Sequence, residues 1–297
     1  MNVLSLENVV KDYKNHRAVD HVSFNMEKGK IFGLLGPNGA GKTSLIRIIT
    51  SITGADSGKV YLDGQLINQR TPEHIGYMPE ERGLYKKMKV GDHLTYLASL
   101  KGLDRKTSKN KISYWLDRLE IASWENKKVN ELSKGMQQKI QFIATVLHEP
   151  SLIILDEPFS GLDPVNTNII KEEIRRLNQE GSSIIFSTHR MESVEEICED
   201  LVLINQGKVQ LTGNVHEVKE QFKENKYLLE LQKGSALVDS SHVEIQKIGE
   251  GVFELQGETD EHVQAFLRDQ LNAGAKVRSF EEILPSINDI FIKLVKN

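Results

Sequence analysis

The chain alternates short unbroken apolar runs with longer stretches where apolar residues recur every third or fourth position. An unbroken run of about four to eight reads as a strand buried on both faces, and a period of about 3.6 as a helix packed on it. KIFGLLG (30–36) predicts a buried strand closed by glycine, and KTSLIRIIT (42–50) has helical spacing. KVYLDG (59–64) predicts a strand ending in an Asp-Gly turn. Residues 90–125 are polar and amphipathic, carry both tryptophans, Trp115 and Trp124, and predict a helical subdomain inserted between strands. SLIILDEP (151–158) and SSIIFSTH (182–189) predict two more buried strands. Between them, NTNIIKEEIRRLNQEG (166–181) is an amphipathic helix that Gly181 closes. LVLINQGKVQLTG (201–213) predicts a hairpin across Gly207. Strands alternating with helices imply an α/β fold with a mainly parallel sheet covered on both faces.

The pattern changes after residue 222. FKENKYLLELQ restarts with charge and then a strand, and VEIQKIGEGVFELQGE (243–258) has a hairpin pattern around Gly249 and Gly251. DEHVQAFLRDQLNAG (260–274) predicts a helix, KVRSFEEI (276–283) a strand and PSINDIFIKLVKN (285–297) a last helix. The expectation is a domain over 1–222, with its helical subdomain at about 84–150, followed by a small α+β C-terminal domain over 223–297.

Composition narrows the options. Of 297 residues, 39% are hydrophobic and 27% charged, enough for a sizeable core. The net charge of −4 argues against a dedicated nucleic-acid binder. One cysteine, Cys198, allows no internal disulfide and fits a reducing compartment. The first residues hold no apolar core of the kind a secretory signal needs. No stretch approaches the roughly 18 consecutive apolar residues of a membrane span, so a membrane role would need a partner. Nine histidines lie scattered without HExxH or paired Cys/His spacing, which points away from zinc.

The strongest chemical signal is GPNGAGKT (36–43), which matches GxxxxGK[ST] between a predicted strand and a predicted helix. Its glycines let backbone N–H groups face phosphate, and the helix N-terminus adds a favourable field. Gly36, Pro37, Asn38, Gly39, Ala40, Gly41, Lys42, Thr43 and Ser44 are the candidate nucleotide contacts. Lys42 suits the β- and γ-phosphates and Thr43 offers Mg²⁺ a hydroxyl. SLIILDEP supplies the second requirement, Asp156 at the C-terminal end of a buried strand, as a metal ligand. Glu157 follows as the candidate that polarises an attacking water, and His189, closing the next strand, as a γ-phosphate sensor. Each has a bland alternative: a surface glutamate at a strand end, a structural histidine.

ELSKGMQQKIQFIATVLHEP (131–150) alone is an N-capped helix, or a second anion site at a helix N-terminus. In the order LSKGM, QQK, LIILDEP, SGLD (160–163) and His189, however, the chain resembles the ATPase subunit of an ABC transporter over roughly three quarters of its length. YMPEERGLY, SKGMQQK and the C-terminal segment most resemble ATPases of ABC-2-type exporters, including the sodium-extrusion group.

That resemblance implies ATP and Mg²⁺ as cofactors and a head-to-tail homodimer or heterodimer of ATPase subunits. In it Ser133 and Gly135 of one subunit would bind the γ-phosphate held by the other. It also implies that Asp163 communicates across the interface, that Tyr13 stacks on adenine, and that a separate transmembrane permease is the partner. The chain would then sit in the cytoplasm, peripheral on the inner face of the cell membrane. Two departures stand out. Lys134 and Met136 replace residues of the usual Leu-Ser-Gly-Gly-Gln signature. Glu80 stands where the superfamily usually has glutamine, which makes it a candidate metal ligand and lever, since a carboxylate oxygen suits a hard cation. Its neighbours Glu81 and Arg82 read as a local ion pair or a permease contact. A soluble ABC ATPase acting on the ribosome or on DNA is the alternative. The single P-loop, the lack of sustained heptads and the acidic balance speak against it.

Overall fold

The computed structural model describes residues 1–297 except Arg82, Lys233, Gly234, Ala236, Asp239, Ser240 and Asn297, so the Glu81–Arg82 pairing lies outside the described residues. The chain divides into two compact units, Met1–Val215 and His216–Asn297.

In the first unit β1 (Asn2–Tyr13) and β2 (His16–Glu27) run antiparallel. Buried Val22, Phe24 and Met26 alternate with exposed neighbours along β2, the two-residue period of a half-buried strand. β3 (Ile31–Leu35) is buried at every position. It feeds the phosphate loop and α1 (Lys42–Ile49). β4 (Ser57–Leu62) and β5 (Gln65–Leu66) turn across Asp63 and Gly64, both at positive φ (47° and 76°), the geometry that matches hairpin twist. β6 (Ile75–Met78) precedes the helices α2 (Val90–Leu100), α3 (Arg105–Arg118) and α4 (Lys134–Val146). Then follow β7 (Leu152–Asp156), α5 (Pro164–Gln179), β8 (Ser183–Thr188), α6 (Met191–Ile197) and the hairpin β9 (Asp200–Asn205) and β10 (Lys208–Asn214).

These strands build two sheets, where the sequence pattern predicts one. The main sheet has the order β10-β9-β3-β8-β7-β6, parallel except for β10 at its edge. A separate antiparallel sheet has the order β2-β1-β4-β5 and takes the 59–64 strand with it. Helix α1 joins both: Leu45, Ile46, Ile48 and Ile49 share one core with Phe24 of β2 and Phe32 of β3, whose rings stack 5.4 Å apart. Each such side chain stabilises the fold by about 1.5–3 kcal/mol on burial, so the helix behind the phosphate loop is firmly anchored. Cys198 is buried at the end of α6, where Gly33 leaves room: a Cβ there would lie 3.4 Å from its Sγ. Burial pushes the thiol well above its ordinary pKa.

The helical part is held by local chemistry. The Asp104 carboxylate caps α3 by accepting from the N–H groups of Lys106 (2.9 Å) and Thr107 (3.0 Å). Trp115 of α3 meets Phe142 of α4 edge-on at 5.9 Å, and the Arg176 guanidinium of α5 lies 5.3 Å from the Trp115 ring centre.

The second unit opens within α7 (Val215–Gln221) and continues through β11 (Lys226–Leu231), β12 (Val243–Gly249), β13 (Val252–Gly257), α8 (Asp260–Asn272), β14 (Val277–Ile283) and α9 (Ile287–Lys296). Its antiparallel sheet has the order β12-β13-β11-β14. Leu229, Leu255, Val263 and Phe266 form its core, with Tyr227 stacked on Phe280 at 4.8 Å. The change of residue pattern at 222 falls just after α7. Among the described residues no helix is long and apolar enough to cross a membrane.

Candidate nucleotide-binding site

The phosphate loop is shaped by what its glycines permit. Gly36 has φ 151°, and a Cβ on it would lie 2.1 Å from the Ile204 carbonyl oxygen of β9. Gly41 has φ 107°, and a Cβ there would lie 2.2 Å from the Ala18 oxygen of β2. The loop is thus pressed against backbone from both sheets, an approach that only glycine allows. Gly39 (φ 79°) faces open space.

A cavity of about 440 Å³ opens over this loop. Asn38 through Ser44 line it, together with Tyr13, His16 and Ala18 from the antiparallel sheet and Glu80, Asp156, Glu157 and His189 from the C-terminal ends of the parallel strands. Gly36 and Pro37 sit beneath: their carbonyl oxygens accept from Lys42 Nζ at 2.7 and 3.1 Å. Lys42 is buried, which pulls its pKa down; Asp156, Glu157 and Glu80 act in the opposite sense. Tyr13, 40% exposed, ends β1 beside a turn at Lys14 (φ 45°), with Lys11 Nζ 5.6 Å from its ring centre.

The carboxylates are held by the register of β7 and β8. Asp156 pairs with Ser187 across the parallel strands, and the Ser187 hydroxyl donates to Asp156 Oδ1 at 2.8 Å. Burial raises the Asp156 pKa, and neighbouring Glu157 and Glu80 add to the rise. One residue on, Glu157 takes φ 50° and donates its N–H to the Ser187 carbonyl (2.9 Å). Its carboxylate accepts from the His189 N–H (2.8 Å) and Thr188 Oγ1 (3.1 Å) and lies 2.6 Å from His189 Nδ1. Glu157 and His189 are therefore one hydrogen-bonded pair facing the cavity. Ser187 and Thr188 escape sequence reasoning as site residues, because only the strand register aims them at Asp156 and Glu157. His16 escapes it too, and nothing in its sequence context marks it.

Ser133 and Gly135 lie outside this cavity. Ser133 is exposed and caps α4, its Oγ accepting from the Met136 N–H at 3.3 Å. Gly135 packs against the SGLD segment: a Cβ on it would lie 3.1 Å from the Gly161 oxygen. Asp163 caps α5 through the Asn166 N–H (2.9 Å), which holds its carboxylate below the usual pKa. Gln138 of α4 donates to the Pro158 oxygen at 3.0 Å, tying this helix to the loop beyond Glu157.

A second, more apolar groove of about 240 Å³ runs between the parallel sheet and the helical region, lined by Tyr77, Pro79, Leu84, Leu97, Leu100 and Ala144 among others. It begins one residue before Glu80, and Gln141 Nε2 fixes that point by donating to the Pro79 oxygen at 2.6 Å.

Comparison with known proteins accounts for both units. A model described as "ABC transporter" matches residues 19–160, and one described as "ATP-binding protein DrrA1-3-like, C-terminal domain" matches residues 213–295. The "Uncharacterized ABC transporter ATP-binding protein YhaQ" of Bacillus subtilis is 42% identical over 99% of this chain and 98% of its own. The chain belongs to the ATP-binding subunits of ABC transporters. The "Linearmycin resistance ATP-binding protein LnrL" of Bacillus subtilis is 34% identical over 71% of this chain and 69% of its own. A solved "ATP binding subunit of ABC transporter" superposes with a TM-score of 0.70 at 27% identity, covering 74% of this chain and 93% of that one. The P-loop α/β fold and the ATP-hydrolysing activity follow from this membership.

Proposed function

We propose that the chain is the motor subunit of an ABC exporter, working as a dimer and driving a separate transmembrane permease. The observation that carries the reading is a division of labour. One cavity gathers the phosphate loop, the three candidate carboxylates Glu80, Asp156 and Glu157, His189 and Tyr13. The Ser133–Gly135 helix N-terminus, exposed at Ser133 and half-buried at Gly135, stands outside it. A nucleotide in the cavity would present its γ-phosphate outward, and a helix N-terminus with free N–H groups suits that charge. Two copies arranged head to tail would complete each other's sites.

Within the cavity Lys42 would exchange its bonds to the Gly36 and Pro37 carbonyls for phosphate oxygens. The donor set also fits Mg²⁺. Asp156 is a buried carboxylate that accepts from the Ser187 hydroxyl, and exposed Thr43 lines the same cavity. Among the described residues no cluster of three acidic, histidine or cysteine side chains forms a self-sufficient cage. The set suits an ion held by one or two carboxylates and a hydroxyl together with phosphate and water. Asp156, Thr43 and Glu80 would hold it; when bound it neutralises charge on the β- and γ-phosphate oxygens. Glu157 orients the attacking water and accepts its proton, while His189 fixes the Glu157 carboxylate and faces the γ-phosphate. Glu80 links this centre to the apolar groove that starts at Pro79, which gives a permease segment seated there a lever on the site. Outward transport is supported by the resistance function in the name of the LnrL relative.

The test is a pull-down. The tagged Glu157→Gln chain is extracted from host membranes in mild detergent with ATP, and the co-purifying proteins are identified. A polytopic membrane protein in stoichiometric amount is the expected result. Ribosomal proteins or nucleic acid without a permease would overturn the transporter assignment while leaving the ATPase chemistry intact.

A further inference from the structure

Charge is distributed unevenly along this acidic chain. Residues 84–134 carry twelve Lys and Arg against six Asp and Glu, a net +6 in a chain of net −4, so the remainder is −10. The fold concentrates this excess. The segment Lys86–Lys89 lies antiparallel to Lys127–Asn130: Val90 N–H donates to the Lys127 oxygen, Val129 N–H to the Met88 oxygen and Asn130 N–H to the Lys86 oxygen, each at 3.0 Å. Lys89 and Lys128 are direct bridge partners. Lys86, Lys87, Lys89, Lys127 and Lys128 are all exposed, and none of them forms an ion pair among the described residues. Like charges set opposite each other are unfavourable without a counter-charge. Arg105 and Lys109 of α3 extend the patch across a shallow depression that Lys89 also lines. The acids facing it are Asp92 and Glu125 in that depression and Glu131, whose carboxylate accepts from the Lys128 N–H at 3.1 Å.

We infer that the basic ribbon formed by Lys86–Lys89 and Lys127–Lys128 is a docking face for the anionic headgroups of a phospholipid bilayer. Three observations favour lipid over nucleic acid. All five ribbon cations are lysines, flexible point charges suited to a fluid surface, where arginine's fork would favour fixed phosphate geometry. The ribbon runs directly into exposed aromatic side chains: Tyr85 (51% exposed) precedes Lys86 and meets Tyr96 (40%) edge-on at 5.6 Å. Tyrosines gather at membrane–water interfaces, where the ring sits at the level of the headgroups. The −10 carried by the rest of the chain would resist wrapping by a long polyanion, whereas a planar surface meets one face only. The inference goes beyond the permease reading: it gives the subunit a direct affinity for the leaflet and leans on that reading only for why a membrane is near.

The experiment is vesicle flotation of the full chain. The probes are pure phosphatidylcholine vesicles and vesicles of roughly 3:1 phosphatidylcholine to phosphatidylglycerol, at about 100 mM and about 500 mM salt. Binding is expected on the mixed vesicles at low salt, lost at high salt and absent on pure phosphatidylcholine. Each lysine removed should weaken it about fivefold. The combined Lys86→Gln, Lys87→Gln, Lys127→Gln, Lys128→Gln variant should fall below detection while basal ATP turnover is unchanged, which also shows that it folds. Equal binding by variant and parent, no binding to either vesicle, or preferential binding to polyuridylate competitor would each overturn the inference. The vesicles contain no permease, so failure of the permease pull-down leaves this result standing, and the reverse.

Discussion

Replacing Gly36 with alanine tests whether the phosphate loop is built by close approach. The new Cβ would lie 2.1 Å from the Ile204 carbonyl oxygen, on a backbone at φ 151°. Backbone strain of this kind costs about 1–3 kcal/mol. Overpacking against a main-chain atom that cannot swing aside costs about 1–3 kcal/mol more. Gly39→Ala is the internal control. It also has positive φ, 79°, but its Cβ meets nothing within 4 Å. It should lose only the left-handed penalty of about 1–2 kcal/mol. For a unit of this size 1 kcal/mol corresponds to about 2–4 °C in Tm. Gly36→Ala should therefore lower the transition of the first unit by roughly 4–24 °C, and Gly39→Ala by no more than about 2–8 °C. Scanning calorimetry of the two variants, with the second unit's transition as reference, reads the difference. Equal shifts, or a Gly36→Ala shift under about 2 °C, would refute the argument that the loop is pinned by β9.

Other outcomes can be checked alongside it. Glu157→Gln should lower kcat for phosphate release about 10²–10⁴-fold while filter-measured ATP binding persists, since it removes a base but no phosphate contact; turnover within tenfold of wild type would contradict the role. Asp156 has a folded pKa raised by burial, so its ionisation costs stability that sets in as pH rises through that value. Asp156→Asn should accordingly raise the apo Tm near neutral pH, with the gain shrinking toward about pH 4, while Mg²⁺-dependent turnover is lost. Burial lowers the His148 pKa from 6.5 to about 4. Its neutral form thus contributes stability that is complete above the unfolded value and lost as pH falls through that window, about 3 kcal/mol in all. Urea titrations should show His148→Gln flattening that pH dependence.

Much of this fold is legible from residue order because each parallel strand is a continuous apolar run. KIFGLLG, SLIILDEP and SSIIFSTH become β3, β7 and β8, and the hairpin expected at Gly207 turns on Gln206 (φ 49°) and Gly207 (φ 77°). The antiparallel sheet escapes notice because β1 and β2 mix polar and apolar residues with irregular register between Leu6 and Asp12, which blurs the period-two signal. At the candidate site, Lys42 stands out through the phosphate-loop pattern, and Asp156 and Glu157 through acidic chemistry at the end of a buried strand. Ser187 and Thr188 are not, since a serine or threonine at a strand end becomes a site residue only through its neighbour's register. The lysine ribbon is hidden for a related reason: its two halves lie some 40 residues apart in a chain whose total charge has the opposite sign.

Cys198, the one thiol in the chain, is sealed behind Gly33 and kept protonated by its burial. A maleimide should pass it by. The native chain is thus already a near-blank background for spectroscopy: one cysteine added at Lys128 would take a spin label or fluorophore alone. The approach of that label to a bilayer, and its distance from the same label on a second copy, could then be followed without altering anything else.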